Sequence, residues 1–455
     1  MIDNKKIAIY GFGKEGQSCA LYLAKKNRIT IIDDKNKSDF NSEDLEKFKK
    51  LNIKFFFGGK YPQNGDFDFI VRSPGVRPDN INVIRIAKSG AKPISSTTIF
   101  FDECPGQIIG VTGTKGKGTT ATLIYKFLKS KYQNVYLAGN IGIAPLDILP
   151  VLDSQSIIVL ELSSFQLIDI KKSPHVCVVL MITTEHLDWH KNIREYQQSK
   201  SSIVSFQKRK DFAIINYDYP VSREMAKLTK GKVYFFSVNE KTNGIYLKNE
   251  DIISQIDEQE KICEIKDIKL TGRHNFQNVV AAAAVAKLYN IDNNKIKQVL
   301  SKFKGLEYRL QFIGQKNGVK FYNDSSSTVP ETTIAAIKAF NLPKIVILGG
   351  SSKKADFRKL ALEIHNNKSI KSIILIGEEA KKIEHTILGM NSHQINIIKN
   401  LKSMGDIVSR AYSMATAGDI VLFSPACASF DMFLNYQDRG MQFSQEINKL
   451  IVKNE

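Results

Sequence analysis

The feature that most restricts the fold is the run Gly110-Val-Thr-Gly-Thr-Lys-Gly-Lys-Gly-Thr-Thr120, set between a β-branched stretch at 108–111 and an amphipathic stretch at 121–130. Strand, glycine loop and helix in that order form half of a βαβ unit and predict a parallel sheet. Glycines let the backbone wrap a phosphate with its N–H groups, and the helix N-terminus adds a favourable dipole. Lys117 can neutralise β- and γ-phosphates. Gly113, Thr114, Lys115, Gly116, Lys117, Gly118, Thr119 and Thr120 are therefore candidates for holding a nucleoside triphosphate. The spacing G-x-x-x-x-G-K-[ST] is not fully met: Val111 occupies the first glycine position and Gly118 follows the lysine. Magnesium is then left to Thr119 or Thr120. The competing reading is a Gly/Lys-rich surface turn, which the flanking strand and helix disfavour.

The same alternation recurs along the chain. Strands are expected at 7–10, 29–32 and 67–71, with a helix at 17–26. A second cycle places strands at 108–111, 135–137 and 157–160, and a third at 345–348, 373–376 and 420–423. The alanine-rich stretch 278–288 predicts a helix. From 212 to 268 the pattern loosens, with Asn-Asp and Asn-Gly turn signals, and reads as antiparallel hairpins or an exposed insertion. At roughly 150 residues per domain, 455 residues predict about three domains. The fold class expected is α/β.

Composition narrows the function classes only partly. A formal charge of +19 favours anionic partners: nucleic acid, acidic membrane, or phosphorylated and carboxylated small molecules. The lysines are scattered, and no basic stripe interleaved with aromatics marks a nucleic-acid surface. Five separated cysteines without a CxxC pair argue against both a disulfide framework and a Cys-rich zinc site, and fit a reducing compartment. No apolar run approaches the roughly 20 residues that span a bilayer, and Lys5 and Lys6 lead into no long apolar leader segment. A soluble cytoplasmic protein is expected.

Further motifs fall at strand ends. Gly11-Phe-Gly-Lys-Glu-Gly16, with Asp33 and Asp34 about twenty residues on, matches a dinucleotide fingerprint. A backbone able to approach a pyrophosphate, with an acid near a ribose, suits a nucleotide-sugar diphosphate, NAD, or a structural turn alone. Gly13, Lys14, Glu15, Asp33 and Asp34 are candidates there, and Arg72-Ser-Pro-Gly-Val76 adds Ser73, either facing that ligand or forming a plain turn. Glu161 and His186 also follow apolar strands, where residues line the crevice of an open α/β sheet. Both are plausible magnesium ligands. A structural histidine is the competing reading for His186, since magnesium prefers oxygen ligands.

In order along the chain, the Gly110 to Thr120 run, Gly139-Asn-Ile-Gly142, Glu161-Leu-Ser-Ser-Phe-Gln-Leu167, Thr184-Glu-His-Leu-Asp188, Tyr196-x-x-x-Lys200, Leu270-Thr-Gly-Arg-His-Asn-Phe-Gln-Asn278, Gly305-Leu-Glu-Tyr-Arg309 and Gly418 to Asp431 resemble the Mur ligases. The resemblance covers essentially the whole chain. Ser424-Pro-Ala-Cys-Ala-Ser-Phe-Asp431, followed by Tyr436 and Arg439-Gly440, is most similar to the member that adds D-glutamate.

That resemblance implies three domains: a Rossmann-like domain for the uridine diphosphate (1–95), a central P-loop ATPase-like domain (96–305) and a Rossmann-like C-terminal domain for the amino acid (306–455). The last is expected to move as it closes. The implied reaction joins D-glutamate to UDP-N-acetylmuramoyl-L-alanine with ATP through an acyl phosphate, and the implied protein is a monomer without nucleic-acid or membrane partners.

By position, Lys117 meets the β- and γ-phosphates, and Thr119 and Glu161 lie near one magnesium ion. His186 and an N-carbamoylated Lys200 lie near a second. Asn140 contacts the nucleotide sugar, and Asn275 and Asn278 lie around ATP. Without the family, Asn278 would read as a helix residue facing solvent. Arg309 clamps a phosphate, and Asp324 reaches the ATP ribose. Thr328, Lys353, Ser429 and Phe430 fall where the amino acid binds, although a core aromatic is an equal reading of Phe430. Catalysis is thereby expected of Lys117, His186, Lys200 and Arg309. The chain departs from the family pattern at Ser326, in place of a lysine, and at Val329, in place of an asparagine, which leaves the acceptor amino acid open. Another Mur-type or folylpolyglutamate-type ligase is the alternative, and a nicotinamide-dependent oxidoreductase is disfavoured by the phosphate loop.

Overall fold

The computed structural model describes residues 2–40, 42–62, 66–187, 189–270, 274–352, 355–389 and 395–452, with the side chains of Glu43, Asp44 and His274 excepted. Lys353 lies outside the described residues. The chain forms two compact units, 1–303 and 304–455. Among the described residues three sheets are present, two of them in the first unit.

The first sheet has five parallel strands in the order Lys54–Phe57, Arg28–Asp33, Lys6–Tyr10, Phe69–Arg72 and Lys92–Ser95. Strand Lys6–Tyr10 is buried on both faces: Ile7 and Ile9 pack with Cys19, Ala20 and Leu23 of the helix Lys14–Leu23, and Ala8 and Tyr10 with Val83 and Ile86 of Ile81–Lys88. Such two-sided burial is why this strand reads as an unbroken apolar run. The first helix starts at Lys14, three residues before the expected 17, because Gly13 serves as its N-cap without a side chain. Chain order reverses beside Lys6–Tyr10, so the loops after Tyr10 and Arg72 meet at the carboxyl end of the sheet.

The second sheet has nine strands. Gln107–Thr112 lies between Ile157–Glu161 and Val176–Val179, with Val135–Gly139 at one edge, all parallel. On the other side Phe212–Asn216, Lys232–Ser237 and Ile245–Lys248 continue the parallel sheet, and Asp251–Ser254 and Glu260–Glu264 close it antiparallel. The hairpin expectation for 212–268 thus holds only for the last three strands, and the exposed-insertion alternative fails. Ala213, Ile214 and Ile215 are fully buried, but the turn signals between the strands mask that continuity. The alanine-rich helix is His274–Leu288. Residues 279–286 are no more than 1% exposed, since alanines allow the close approach of a helix buried on all sides.

In the second unit, Gln311–Lys316 pairs antiparallel with Val319–Asn323, which runs parallel to Ile420–Phe423, Lys344–Gly349, Ile370–Ile376 and Asn396–Ile398 in that order. Apolar clusters cover both faces of this sheet. The architecture is three-sheet α/β, as expected. Among the described residues no helix is long and apolar enough to cross a membrane.

Candidate nucleotide and ligation site

Three neighbouring strands of the second sheet deliver the candidate residues. Val111 is in register with Glu161, and Thr112 with Val179, so the phosphate loop, Glu161 and the segment leading to His186 leave the sheet side by side. Gly113 and Gly116 adopt φ of +153° and +86°, which side-chain-bearing residues rarely take. A Cβ on Gly116 would fall 2.1 Å from Asn278 Oδ1. Helix Lys117–Lys129 then begins, directing its free N–H groups at the loop. Lys117 Nζ donates to the Gly113 and Thr114 carbonyls, both at 3.1 Å. Thr114 is a hub: its hydroxyl pairs with Tyr196 Oη at 2.9 Å and accepts from Thr183 N, and its own N–H donates to Met181 O.

Of the two threonines considered for magnesium, Thr120 is fully buried and its hydroxyl donates to Asn278 Oδ1 at 3.3 Å. Thr119 is half-buried. Asn278 is 6% exposed and donates to Asn275 Oδ1 at 2.8 Å, which corrects the expectation of a solvent-facing position. Its contact with the phosphate loop is long-range and invisible to helix periodicity.

Lys200 is 2% exposed, with Nζ 3.0 Å from Gly113 O and over the Tyr196 ring. Burial, reinforced by the charge of Lys117, pushes its amine well below the ordinary lysine range, while Glu185 and Glu161 oppose that shift. Glu161 is 4% exposed. His186 sits on a turn with φ of +57°, half-exposed, with its ring 4.9 Å from Phe165 and Nε2 3.6 Å from Glu185. Burial pushes the Glu185 pKa up, but its bond to Lys115 together with the charges of Lys115, His186 and Lys117 leaves it lowered. Among the described residues no three His, Cys, Asp or Glu side chains converge on a metal position. The carboxyl group of Glu161, a threonine hydroxyl and phosphate oxygens do match magnesium, which typically takes one or two carboxylates together with substrate phosphates.

At the carboxyl end of the first sheet, several expected ligand residues take hydrogen bonds within the fold, two of them on the glycine loop. Asp33 accepts from Phe12 N at 2.7 Å and Lys35 N at 2.9 Å. Ser73 donates to Gly11 O at 2.7 Å. Asp34 accepts from Tyr10 and Tyr61 hydroxyls, and burial together with those bonds raises the Tyr10 pKa. Glu15 accepts from Ser96 at 2.8 Å and Gln166 at 2.7 Å, tying the first helix to the second sheet's layer, and burial raises its pKa. Gly13, Lys14 and Asn140 are exposed; Lys14 reaches Gly142 O at 2.9 Å, in the same turn as Asn140.

In the second unit, Arg309 is exposed, whereas Asp324 is 3% exposed and turned inward, accepting from Leu310 N, Ser327 and Ser424. Burial raises its pKa. The Asp324 carboxylate would have to leave those bonds to reach a ribose. Ser429 is buried, Thr328 half-buried, and Phe430 is 73% exposed, which removes the core reading. Phe430 N donates to Ser351 Oγ at 3.1 Å. Beneath these turns lies Arg439, fully buried, whose guanidinium donates to Ser325 Oγ and to the Ser325, Cys427 and Ala428 carbonyls.

A cavity of about 300 Å³ opens beside the phosphate loop, lined in part by Lys115, Tyr219, Val238, Asn239, Gln277 and Asn278. Sequence reasoning missed Tyr219, Val238 and Asn239. They follow strands Phe212–Asn216 and Lys232–Ser237, and recognising those strands as parallel would have placed them at the crevice.

The family models described as Mur ligase MurD-like, N-terminal domain, Mur ligase middle domain, and Mur ligase, glutamate ligase domain match residues 5–95, 111–286 and 308–427. The UDP-N-acetylmuramoylalanine–D-glutamate ligase of Acetivibrio thermocellus is 38% identical over 457 residues, spanning 99% of this chain and 97% of that protein. The ligase of the same name from Clostridioides difficile is 36% identical over 454 residues, with 99% of each chain covered. Among solved structures, the UDP-N-acetylmuramate-alanine ligase MurC of Thermotoga maritima matches with a TM-score of 0.56 at 16% identity, covering 98% of this chain and 100% of that one. The MurF ligase of Thermotoga maritima in complex with ADP gives 0.52 at 20%, covering 94% and 97%. At such identities these two speak for the fold alone.

Proposed function

The chain belongs to the Mur ligase family, and from that membership we propose that it joins D-glutamate to UDP-N-acetylmuramoyl-L-alanine with ATP, a step in peptidoglycan precursor synthesis. The alanyl carboxylate attacks the γ-phosphorus and expels ADP. The amine of D-glutamate then attacks the acyl phosphate, and the tetrahedral intermediate releases phosphate as the amine sheds its proton. Three anionic reactants must be brought together, so the work is alignment and charge neutralisation.

The observation that carries this reading is the buried Lys200 amine, 3.0 Å from the phosphate-loop carbonyl of Gly113 and held toward its neutral form. A neutral amine can add carbon dioxide, and the resulting carbamate is an anionic oxygen ligand where an ammonium would repel a cation. Thr119 and Glu161 would hold one magnesium ion, and His186 with carbamoylated Lys200 a second. When bound, such ions withdraw charge from phosphate oxygens. Lys117 meets the β- and γ-phosphates; Asn275 and Asn278 border the nucleotide; Gly13, Lys14 and Asn140 meet the nucleotide sugar. In the second unit we assign Arg309 and Asp324 to ATP, and Thr328, Lys353, Ser429 and the Phe430 backbone to the amino acid. Domain limits of 1–95, 96–305 and 306–455, a monomer in the cytoplasm, and no nucleic-acid or membrane partner complete the proposal.

Ser326 and Val329 favour testing a second acceptor. Phosphate release from ATP, measured with UDP-N-acetylmuramoyl-L-alanine and a panel of amino acids, is expected only with D-glutamate. Release with a different amino acid would retain the ligase and change the acceptor. No release with any of them would sink the proposal.

A further inference from the structure

The turn bearing His186 is held at its far end by groups that the reaction does not use. Trp189 N and His190 N both donate to His186 O, closing the turn. The indole N–H of Trp189 donates to Gly75 O at 3.0 Å, in the Ser73-Pro-Gly turn of the first sheet. Arg77, two residues further on, donates to the Trp189 carbonyl and places its guanidinium 5.0 Å from that indole. The same guanidinium grips Glu195, with Nη1 and Nη2 at 3.2 and 3.1 Å from its two oxygens. Glu195 lies in the first turn of helix Ile193–Ser205, which carries Lys200 farther along. Lys191 completes the set, its N–H on Glu195 and its amine on Asp79.

Two properties separate this cluster from ordinary surface pairing. Arg77 and Glu195 side chains are only 23% and 25% exposed, so the pair is shielded and two-pronged. Its donors are also shared among three backbone segments, so losing Arg77 removes the donor of the Trp189 carbonyl and of Glu195 Oε1 together and leaves Glu195 Oε2 to the Lys191 N–H. Arg77 touches neither the phosphate loop nor Lys200 among the hydrogen bonds described, so an effect on them would travel through the turn.

We propose that Arg77 is a positioning residue that locks the 186–190 turn, and with it His186, against the Ser73 to Gly75 turn. The nucleotide-sugar end of the first sheet and the metal-facing turn of the second are then set by one guanidinium. This inference rests on the functional reading above for what the two turns bind, but the lock itself is a property of the free protein.

Trp189 is the chain's only tryptophan, which makes the lock directly readable. Arg77→Met keeps the aliphatic stem and removes the fork. Relative to the unsubstituted protein, its intrinsic emission is expected to shift to the red and acrylamide quenching to increase about twofold, while the far-ultraviolet circular dichroism is unchanged. In the ligation assay the half-saturating magnesium concentration is expected to rise about tenfold, with a smaller change in KM for ATP, as for a misplaced ligand. Arg77→Lys, which can pair with Glu195 but cannot also reach the Trp189 carbonyl as a fork does, is expected to fall between. Should Arg77→Met not fold, Glu195→Gln opens the same lock from its other side and is read in the same way. A folded variant with unchanged emission, quenching and magnesium dependence would overturn the proposal. If the unsubstituted protein ligates nothing, the functional reading fails, yet emission and quenching still decide the lock.

Discussion

Gly116→Ala tests the claim that Gly116 and Asn278 are fitted to each other. Gly116 has φ +86° and ψ −13° at the N-cap of its helix, and an added Cβ would lie 2.1 Å from Asn278 Oδ1 and 3.1 Å from Cγ. The left-handed backbone costs alanine roughly 1–2 kcal/mol. Displacing Asn278 breaks its bonds to Thr120 and Asn275, at about 1 kcal/mol each. The sum is about 3–4 kcal/mol, or a melting point lower by about 5–6 °C for a unit of this size. Asn278→Ala alone loses the two bonds, about 2 kcal/mol. In the double variant no amide remains to clash, so only the backbone strain is added and the total stays at about 3–4 kcal/mol. Independent sites would instead give about 5–6 kcal/mol. Urea unfolding of the four proteins measures this coupling. ATP added to each should raise the melting point of the unsubstituted protein and leave that of Gly116→Ala unmoved. Additivity within about 0.5 kcal/mol would refute the fitted-pair argument.

Lys200→Met should abolish ligation yet raise the melting point of the ligand-free protein at pH 7 in buffer freed of carbon dioxide. The native amine is held toward neutrality while the unfolded chain's lysine is protonated, so wild-type stability rises with pH toward the ordinary value of 10.5. The advantage of methionine should therefore shrink as pH rises, and a gap independent of pH would count against the buried neutral amine. Arg439→Met leaves the Ser325, Cys427 and Ala428 carbonyls without their donor and should cost about 3 kcal/mol in urea unfolding. Its KM for the amino acid should rise more than its KM for the nucleotide sugar. Equal rises in both would assign Arg439 to general stability. Chelation of magnesium should stop phosphate release, and excess magnesium should restore it; release that persists in chelator would remove the metal assignments.

Local sequence was sufficient wherever one short stretch carries its own geometry. Gly113 and Gly116 had to be glycine for backbone reasons, the strand before them and the helix after them follow from periodicity, and the burial of Lys6–Tyr10 follows from its unbroken apolar run. The parallel α/β class and the family motifs are thus legible along the chain. What escaped it was the choice of partner across long sequence separations. Glu15 and Ser73 stand out in the sequence because they lie at a strand end, but their bonds to Gln166 and Gly11 appear only in the fold. The bond that Asp324 accepts from Ser424, one hundred residues on, likewise has no mark in the sequence. Arg77, Glu195 and Trp189 carry no motif and meet because two layers of the first unit close on each other. Backbone conformation depends mainly on near neighbours, whereas the partner of a carboxylate or guanidinium depends on which surfaces the finished fold brings within hydrogen-bonding distance. This sequence by itself determined the βα framework and the identity of the phosphate loop; only the tertiary structure decided which partners its charged side chains take across long sequence separations.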